Sequence, residues 1–387
     1  MRLGARVVLL ALALLPLIIP ALAQAGTLHH YEYVFPDSSI DVYDIDNHGS
    51  LVKHVSVPTS AGVRGAVASP VTGMLYISYG SDRNSGGSLL KYNLMTDQVV
   101  WAKHYSFGVD SMSISPDGKT IYMPTGELAS GGVWKVIDAN NGNPTASIDS
   151  GGTGPHNTVV SPDGARLYLG PRNTNYLVVA STRTHQVIRK IGPTGGVGGI
   201  RPFTINGAQS LAFITLSGFL GFQVGDIRSG RILYTVPVLG FPTTRRGAPS
   251  ARSHGISLAP NEREIYLMDA VNSYVHVFDV TGLPGSPPRP VADIRLIGAV
   301  SGKESPCAYD CRKSGWLHHS RDGRYVFVGD SGDVIDTTLR KTALMLPAMA
   351  NTRKEIEIDF EDGVPLPIWA MNNRSSSGAH VQANNIT

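Results

Sequence analysis

SMSISPDGKTIYMP from Ser111, NTVVSPDGARLYLG from Asn157, GISLAPNEREIYLMD from Gly255 and LHHSRDGRYVFVGD from Leu317 are four copies of one pattern: apolar run, tight turn, apolar run. The SPDG residues suit the turn. Pro116 fixes its φ, Asp117 can bond the backbone two residues on, and Gly118 tolerates positive φ. These turns are therefore structural and carry no chemistry. Degenerate copies stand at GAVASPVTGMLYIS from Gly65 and FTINGAQSLAFIT from Phe203. After each copy comes a third strand, as in VWKVIDANNG, YVHVFDVTG and DVIDTTLRK, and then a fourth. A four-stranded meander cannot bury both of its faces alone, so it must stack on copies of itself, and radial stacking gives a propeller.

Six inner strands are counted, starting near Arg64, Asp110, His156, Arg201, His254 and Gly315. The N-terminal segments HHYEYVFP, SIDVYDID and LVKHVSVP supply three strands that lack an inner one, and KEIEIDF near the C-terminus can complete that blade. The expectation is an all-β, seven-bladed β-propeller of four-stranded antiparallel blades, closed by pairing of the N- and C-terminal strands; six or eight blades are the alternatives. The propeller is expected over residues 26–362 as one domain, with residues 363–387 as a C-terminal extension.

Composition agrees. With 43 Gly and 25 Pro, no long helical periodicity and short Val/Ile/Tyr runs between turn residues, the chain reads as a closed all-β fold. A formal net charge of +3 without a Lys/Arg cluster argues against a nucleic-acid partner. Residues 1–25 carry Arg2 and Arg6, an apolar stretch from Val7 to Leu22 and the small-residue run ALAQAG. This reads as a signal peptide cut after Ala23 or Ala25, so a secreted or periplasmic protein without a stable membrane span is expected. In such a compartment Cys307 and Cys311 are expected to pair, and Asn373 and Asn385 match the N-glycosylation pattern if the host is eukaryotic.

The repeated SPDG-x-x-(I/L)-Y-(L/M/V) units followed by V-x-V-(I/F)-D resemble the YVTN-repeat β-propellers. That group extends to lactonase-like propellers and to the propeller domains of nitrous oxide reductase, cytochrome cd1 nitrite reductase and methylamine dehydrogenase. The resemblance implies a fold; the shared motif is a turn-and-strand pattern, and one scaffold hosts unrelated activities. Haem attachment through CxxCH and a GxSxG nucleophile elbow have no match in the chain.

Alignment on the turn indicates where a site would lie. Five residues before its serine position stand Arg64, Asp110, His156, Arg201 and His254, at intervals of 46, 46, 45 and 53 residues, with Gly315 and Trp316 in the last copy. A structural repeat needs no such charges there. The loops after the second strands reach the same face and carry Asp82, Asn84, Glu127, Arg172, Asn173, Asp269, Asn272 and Asp330. Arg64, Asp110, Arg201, Arg172, Asp269 and Asn272, with Trp316 at the rim, are thus expected to bind a small polar or anionic ligand, or an extracellular partner, by charge-assisted hydrogen bonds. The bland alternative is a polar channel lining in which Arg64 and Asp110 pair as neighbours.

The enzymatic alternative is a lactonase-like hydrolase, lyase or isomerase acting on a small molecule, with His156 and His254 as catalytic acid and base. A divalent metal, its ligands drawn from His156, His254, His318 and Asp330, is the cofactor that version would use. A third class, an interaction protein working through the outer blade edges, would leave the funnel residues replaceable. Tyr122, Tyr168 and Tyr266 recur at one repeat position and read as inter-blade packing.

Overall fold

The computed structural model describes residues 26–59, 62–195, 198–304 and 312–366. In each SPDG turn the serine and aspartate side chains do the folding work. Ser115 Oγ donates to Asp117 Oδ1 at 2.6 Å, the Lys119 N–H donates to the same oxygen at 3.1 Å, and the Thr120 N–H returns to Ser115 Oγ at 2.9 Å. The same three bonds recur around Ser161 and Asp163 and around Ser320 and Asp322.

These turns join the first two strands of antiparallel four-stranded blades. Blade 1 runs Val63–Ser69, Met74–Gly80, Gly87–Asn93 and Gln98–His104, in that order across the sheet. Blades 2 to 6 open on Ser113–Ile114, Pro155–Val160, Ile200–Ile205, Ile256–Leu258 and Trp316–His319. The first strands of successive blades contact one another, so they line the centre of the ring. The protein is a seven-bladed β-propeller, and one short 3₁₀ turn, Ala348–Asn351, is the helical element among the described residues.

Blade 7 joins the first described strand to one of the last. Its first strand is Glu355–Glu361, paired antiparallel with Leu28–Val34 so that Glu357 faces Glu32 and Asp359 faces His30. Ser39–Asp44 and Ser50–Ser56 complete it. A two-residue strand, Val364–Pro365, folds back onto Phe360 and Glu361, so paired structure continues past Asp362.

The period of two in each strand sends alternate side chains to opposite neighbours. Ile265 and Leu267 pack towards blade 4, whereas Tyr266 and Met268 pack towards blade 6. The core is accordingly seven apolar clusters, one per pair of consecutive blades. The cluster between blades 7 and 1 joins Tyr33, Ile356 and Ile358 to Ala66, Leu75 and Ile77. The one between blades 6 and 7 joins Phe327 and Val334 to Val34 and Tyr43. Each buried aliphatic or aromatic side chain contributes about 1.5–3 kcal/mol. Tyr122, Tyr168 and Tyr266 are buried in three of these clusters.

Cys307 and Cys311, Asn373, Asn385 and residues 1–25, where a signal peptide is expected, lie outside the described residues. No described helix is long and apolar enough to cross a membrane.

Candidate functional site

The strand ladders break where the first strands enter the ring. In blade 1, Val63 pairs with Tyr79 and Gly65 with Ser78, so the register shifts at Arg64, the extra residue of a bulge. His156 is skipped between Pro155 and Asn157, and Arg201 between Ile200 and Phe203, where Pro202 also lacks an N–H. A bulge turns its extra residue out of the alternation that would bury it between blades. In blades 2 and 5 the strand begins late, at Ser113 and Ile256, which frees Asp110 and His254 in the same way.

The five side chains converge at one mouth of the funnel, and all are buried. Arg64 Nη2 donates to Asp82 Oδ2 at 2.9 Å and also lies 3.9 Å from Asp110 Oδ2, so the neighbouring-blade ion pair of the bland alternative is present at long range beside a closer partner in its own blade. Asp110 instead orders its surroundings. Its Oδ1 accepts the Ser111 N–H at 2.9 Å, and its Oδ2 accepts the Glu127 N–H at 3.0 Å and faces His156 Nδ1 at 3.1 Å.

Glu127 is the hub. Its Oε2 lies 3.2 Å from Arg172 Nη1, 3.2 Å from Arg201 Nη1 and 4.0 Å from His156 Nδ1, while Oε1 lies 3.6 Å from Arg64 Nη2. Burial opposes ionisation here, but His156, Arg201, Arg64 and Arg172 together hold the carboxyl well below its ordinary pKa. Arg201 is fully engaged, with Nε on Ser217 Oγ at 2.6 Å and Nη2 on Ser250 Oγ at 3.3 Å. Among the described residues the charged partner of Arg172 is Glu127, and its side chain is 24% exposed against 6% for Arg64 and 5% for Arg201, so it is the most open of the three arginines. The loops fit this closely because glycine permits it. A Cβ on Gly199 would lie 1.4 Å from the Arg172 carbonyl oxygen, so only glycine fits at that approach.

His254 completes the wall. Its Nδ1 lies 3.0 Å from the Gly315 carbonyl oxygen, an acceptor only, so Nδ1 carries the proton and Nε2 the lone pair. Burial, with Arg353, His156 and Arg201 close by, pushes its pKa well below the ordinary value, and the ring is neutral. The rings of His156 and His254 are 6.3 Å apart, and His156 Nε2 is buried without a hydrogen-bond partner.

Sequence reasoning missed the contribution of blade 7. Arg353, two residues before the closing strand, reaches Glu304 at 2.7 Å and Asp330 at 3.5 Å, and Lys354, which immediately precedes the strand, is buried against Glu304 at 3.1 Å. KEIEIDF has no SPDG turn, so alignment on the turn could not find this arginine.

Several expected site residues do other work. Trp316 is buried and not at the rim: it starts the first strand of blade 6 and its ring lies 6.3 Å from His254. Asp269 caps its own loop, accepting the Val271 and Asn272 N–H groups at 2.9 Å each, and faces His276 Nε2 at 3.2 Å. Asn272 donates to Asp269 and to the Pro242 carbonyl. These two residues knit the blade 5 loop together and do not join the arginine cluster. Of the four candidate metal ligands, His156 and His254 lie side by side, whereas Asp330 and His318 are engaged with other partners. Asp330 Oδ2 accepts the Ser314 and Gly315 N–H groups at 2.8 and 3.1 Å, and burial, with Glu304 nearby, pushes its pKa up to about 6. His318 lies between blades 6 and 7, 3.2 Å from Glu32 Oε2, with its pKa pushed down to about 4 by burial. Among the described residues no three His, Cys, Asp or Glu side chains are set to hold a metal ion.

Solved structures similar to this chain include a functionally unknown protein from Desulfotomaculum acetoxidans DSM 771, with a TM-score of 0.63 at 11% identity over 84% of this chain and 98% of that one. Another is dihydro-heme d1 dehydrogenase NirN in complex with DHE, with a TM-score of 0.54 at 14% identity over 81% of this chain and 62% of that one. The likeness is one of fold. No family model matches the chain, and no curated protein matches it. The YVTN resemblance therefore rests on the repeat pattern alone.

Proposed function

We propose that this is a secreted propeller that binds a small polar or anionic molecule at the arginine-lined mouth of its funnel. The observation that carries this reading is the openness of Arg172: Arg64 and Arg201 are buried against Asp82, Glu127 and serine hydroxyls, whereas Arg172 meets Glu127 and its side chain is 24% exposed. A guanidinium presents paired donors that match a carboxylate or phosphate, and the low-dielectric walls strengthen that grip. A second reading, acid–base chemistry on the bound molecule, draws support from the neutral His254 beside His156. The solved complex of NirN with DHE shows that a similar fold can be isolated with a ligand; it names no ligand for this chain.

The test is a thermal-shift comparison of small carboxylates with their neutral amides on wild-type protein and Arg172→Gln. Binding to the native state stabilises by about 2.7 kcal/mol at 100 times Kd, and loss of a charge-assisted hydrogen bond worth about 1.5–3 kcal/mol weakens affinity at least about tenfold. Carboxylates should therefore raise the melting temperature of the wild type and do so much less for the variant. Equal protection of both proteins, or by acid and amide alike, would remove the arginine mouth as an anion site.

A further inference from the structure

The rim of the mouth face is asymmetric in charge. The loops that enter each first strand and those that join second to third strands all open on this face. Among the described residues their carboxylates are turned inward: Asp82, Asp110, Glu304 and Asp330 are buried, and Asp37 and Glu127 are half-buried. The exposed charges of the same loops, Arg83, Arg245, Arg246 and Arg312 among them, are basic. The turns at the opposite end of the blades, by contrast, expose Asp46, Asp117, Asp163 and Asp322.

The basic rim also holds the two most exposed large apolar side chains among the described residues, Leu239 at 78% and Ile297 at 71%. Leu239 stands on the loop that leads into blade 5 and Ile297 on the loop that leads into blade 6. Several contacts tie these loops into one platform. Arg245 donates through Nε to the Val271 carbonyl at 2.6 Å and through Nη2 to the Val300 carbonyl at 2.9 Å. Phe241 packs edge-on against Tyr274, with ring centres 5.0 Å apart, and Tyr274 pairs across the sheet with the exposed Arg295, two residues before Ile297. Asp293, the carboxylate exposed on that strand, lies 2.7 Å from His276 Nδ1. Single exposed apolar side chains are ordinary, but folding gives no use for these two, since neither joins a core cluster. Apolar tips on a face whose exposed charges are basic match a bilayer whose phosphates meet the arginines and whose acyl boundary accepts leucine and isoleucine. An acidic protein would match the arginines but would also have to offer pockets for both tips. We propose that the mouth face docks on an anionic lipid surface through the loops around Leu239 and Ile297. This goes beyond the anion-binding reading and does not depend on it.

Co-sedimentation of the mature protein with vesicles tests the proposal. The protein should bind vesicles of phosphatidylcholine mixed with phosphatidylglycerol but not phosphatidylcholine alone, and binding should fall as salt is raised. The double variant Leu239→Ser, Ile297→Ser should bind at least about tenfold more weakly, because its tips no longer leave water on docking. Arg246→Gln should bind about fivefold more weakly, the weight of one basic side chain at an anionic surface. All three side chains are exposed, so both variants should melt at the wild-type temperature. No binding to the anionic vesicles overturns the proposal. Undiminished binding by the double variant also overturns it, since the attraction would then be one of general charge. Binding of soluble polyglutamate without binding of vesicles would assign the face to an acidic protein instead.

Discussion

At the scale of single residues the site is organised by a side chain that no spacing singles out. Arg64, Asp110, His156, Arg201 and His254 share one register position, and that position alone brought them together on paper. Glu127 was legible as a funnel-face loop residue, but its role comes from three arginines of three different blades meeting on one carboxylate, which needs the ring. Asp269 and Asn272 were misplaced for a related reason: the short polar side chains that cap a loop are the same types that bind ligands, and sequence does not distinguish them. Glu127→Gln should leave Arg201 buried without its charged partner and cost about 3 kcal/mol of stability by urea denaturation, whereas Glu361→Gln, at the exposed end of the closing strand, should cost almost nothing. Equal costs would mean that Glu127 is not the hub.

At the scale of elements, two features shape the function. The bulges at Arg64, His156 and Arg201 lift those side chains out of the inter-blade cores, and nothing in the repeat pattern announces a bulge. The closing strand was legible, because KEIEIDF alternates and the N-terminal meander lacked an inner partner. Its chemistry was not. Ile356, Ile358 and Phe360 face blade 1, while Glu355, Glu357 and Asp359 face blade 6, where Glu357 Oε2 accepts the Arg321 N–H at 2.6 Å and Glu355 Oε1 lies 3.7 Å from His318 Nδ1. Burial raises the pKa of Glu32, Glu355 and Glu357 well above the ordinary 4.5. The folded seam therefore keeps protons that the unfolded chain releases above pH 4.5, and rising pH favours unfolding from there until the folded pKa is passed. Glu355→Gln removes one such group, so in urea denaturation the variant's stability relative to wild type should rise as the pH is raised above the ordinary 4.5. A gap that does not change with pH would show Glu355 to be ionised in the seam throughout.

At the scale of the whole molecule, seven apolar clusters between seven blades leave no open sheet face, and the first described strand joins one of the last in one sheet. That architecture was readable from the repeated turn, because each blade is forced to use both neighbours. The occupant of the funnel was not readable, because the residues that would bind it come from blades far apart in sequence and are aimed by local irregularities. The most direct test is a crystal structure of the mature protein grown with the small carboxylate that raises its melting temperature most. The ligand's carboxylate should lie within hydrogen-bond distance of the Arg172 guanidinium, at the mouth walled by Arg201, His156 and His254. A ligand found only on the outer blade edges, with Arg172 untouched, would contradict the assignment of the funnel mouth as the binding site.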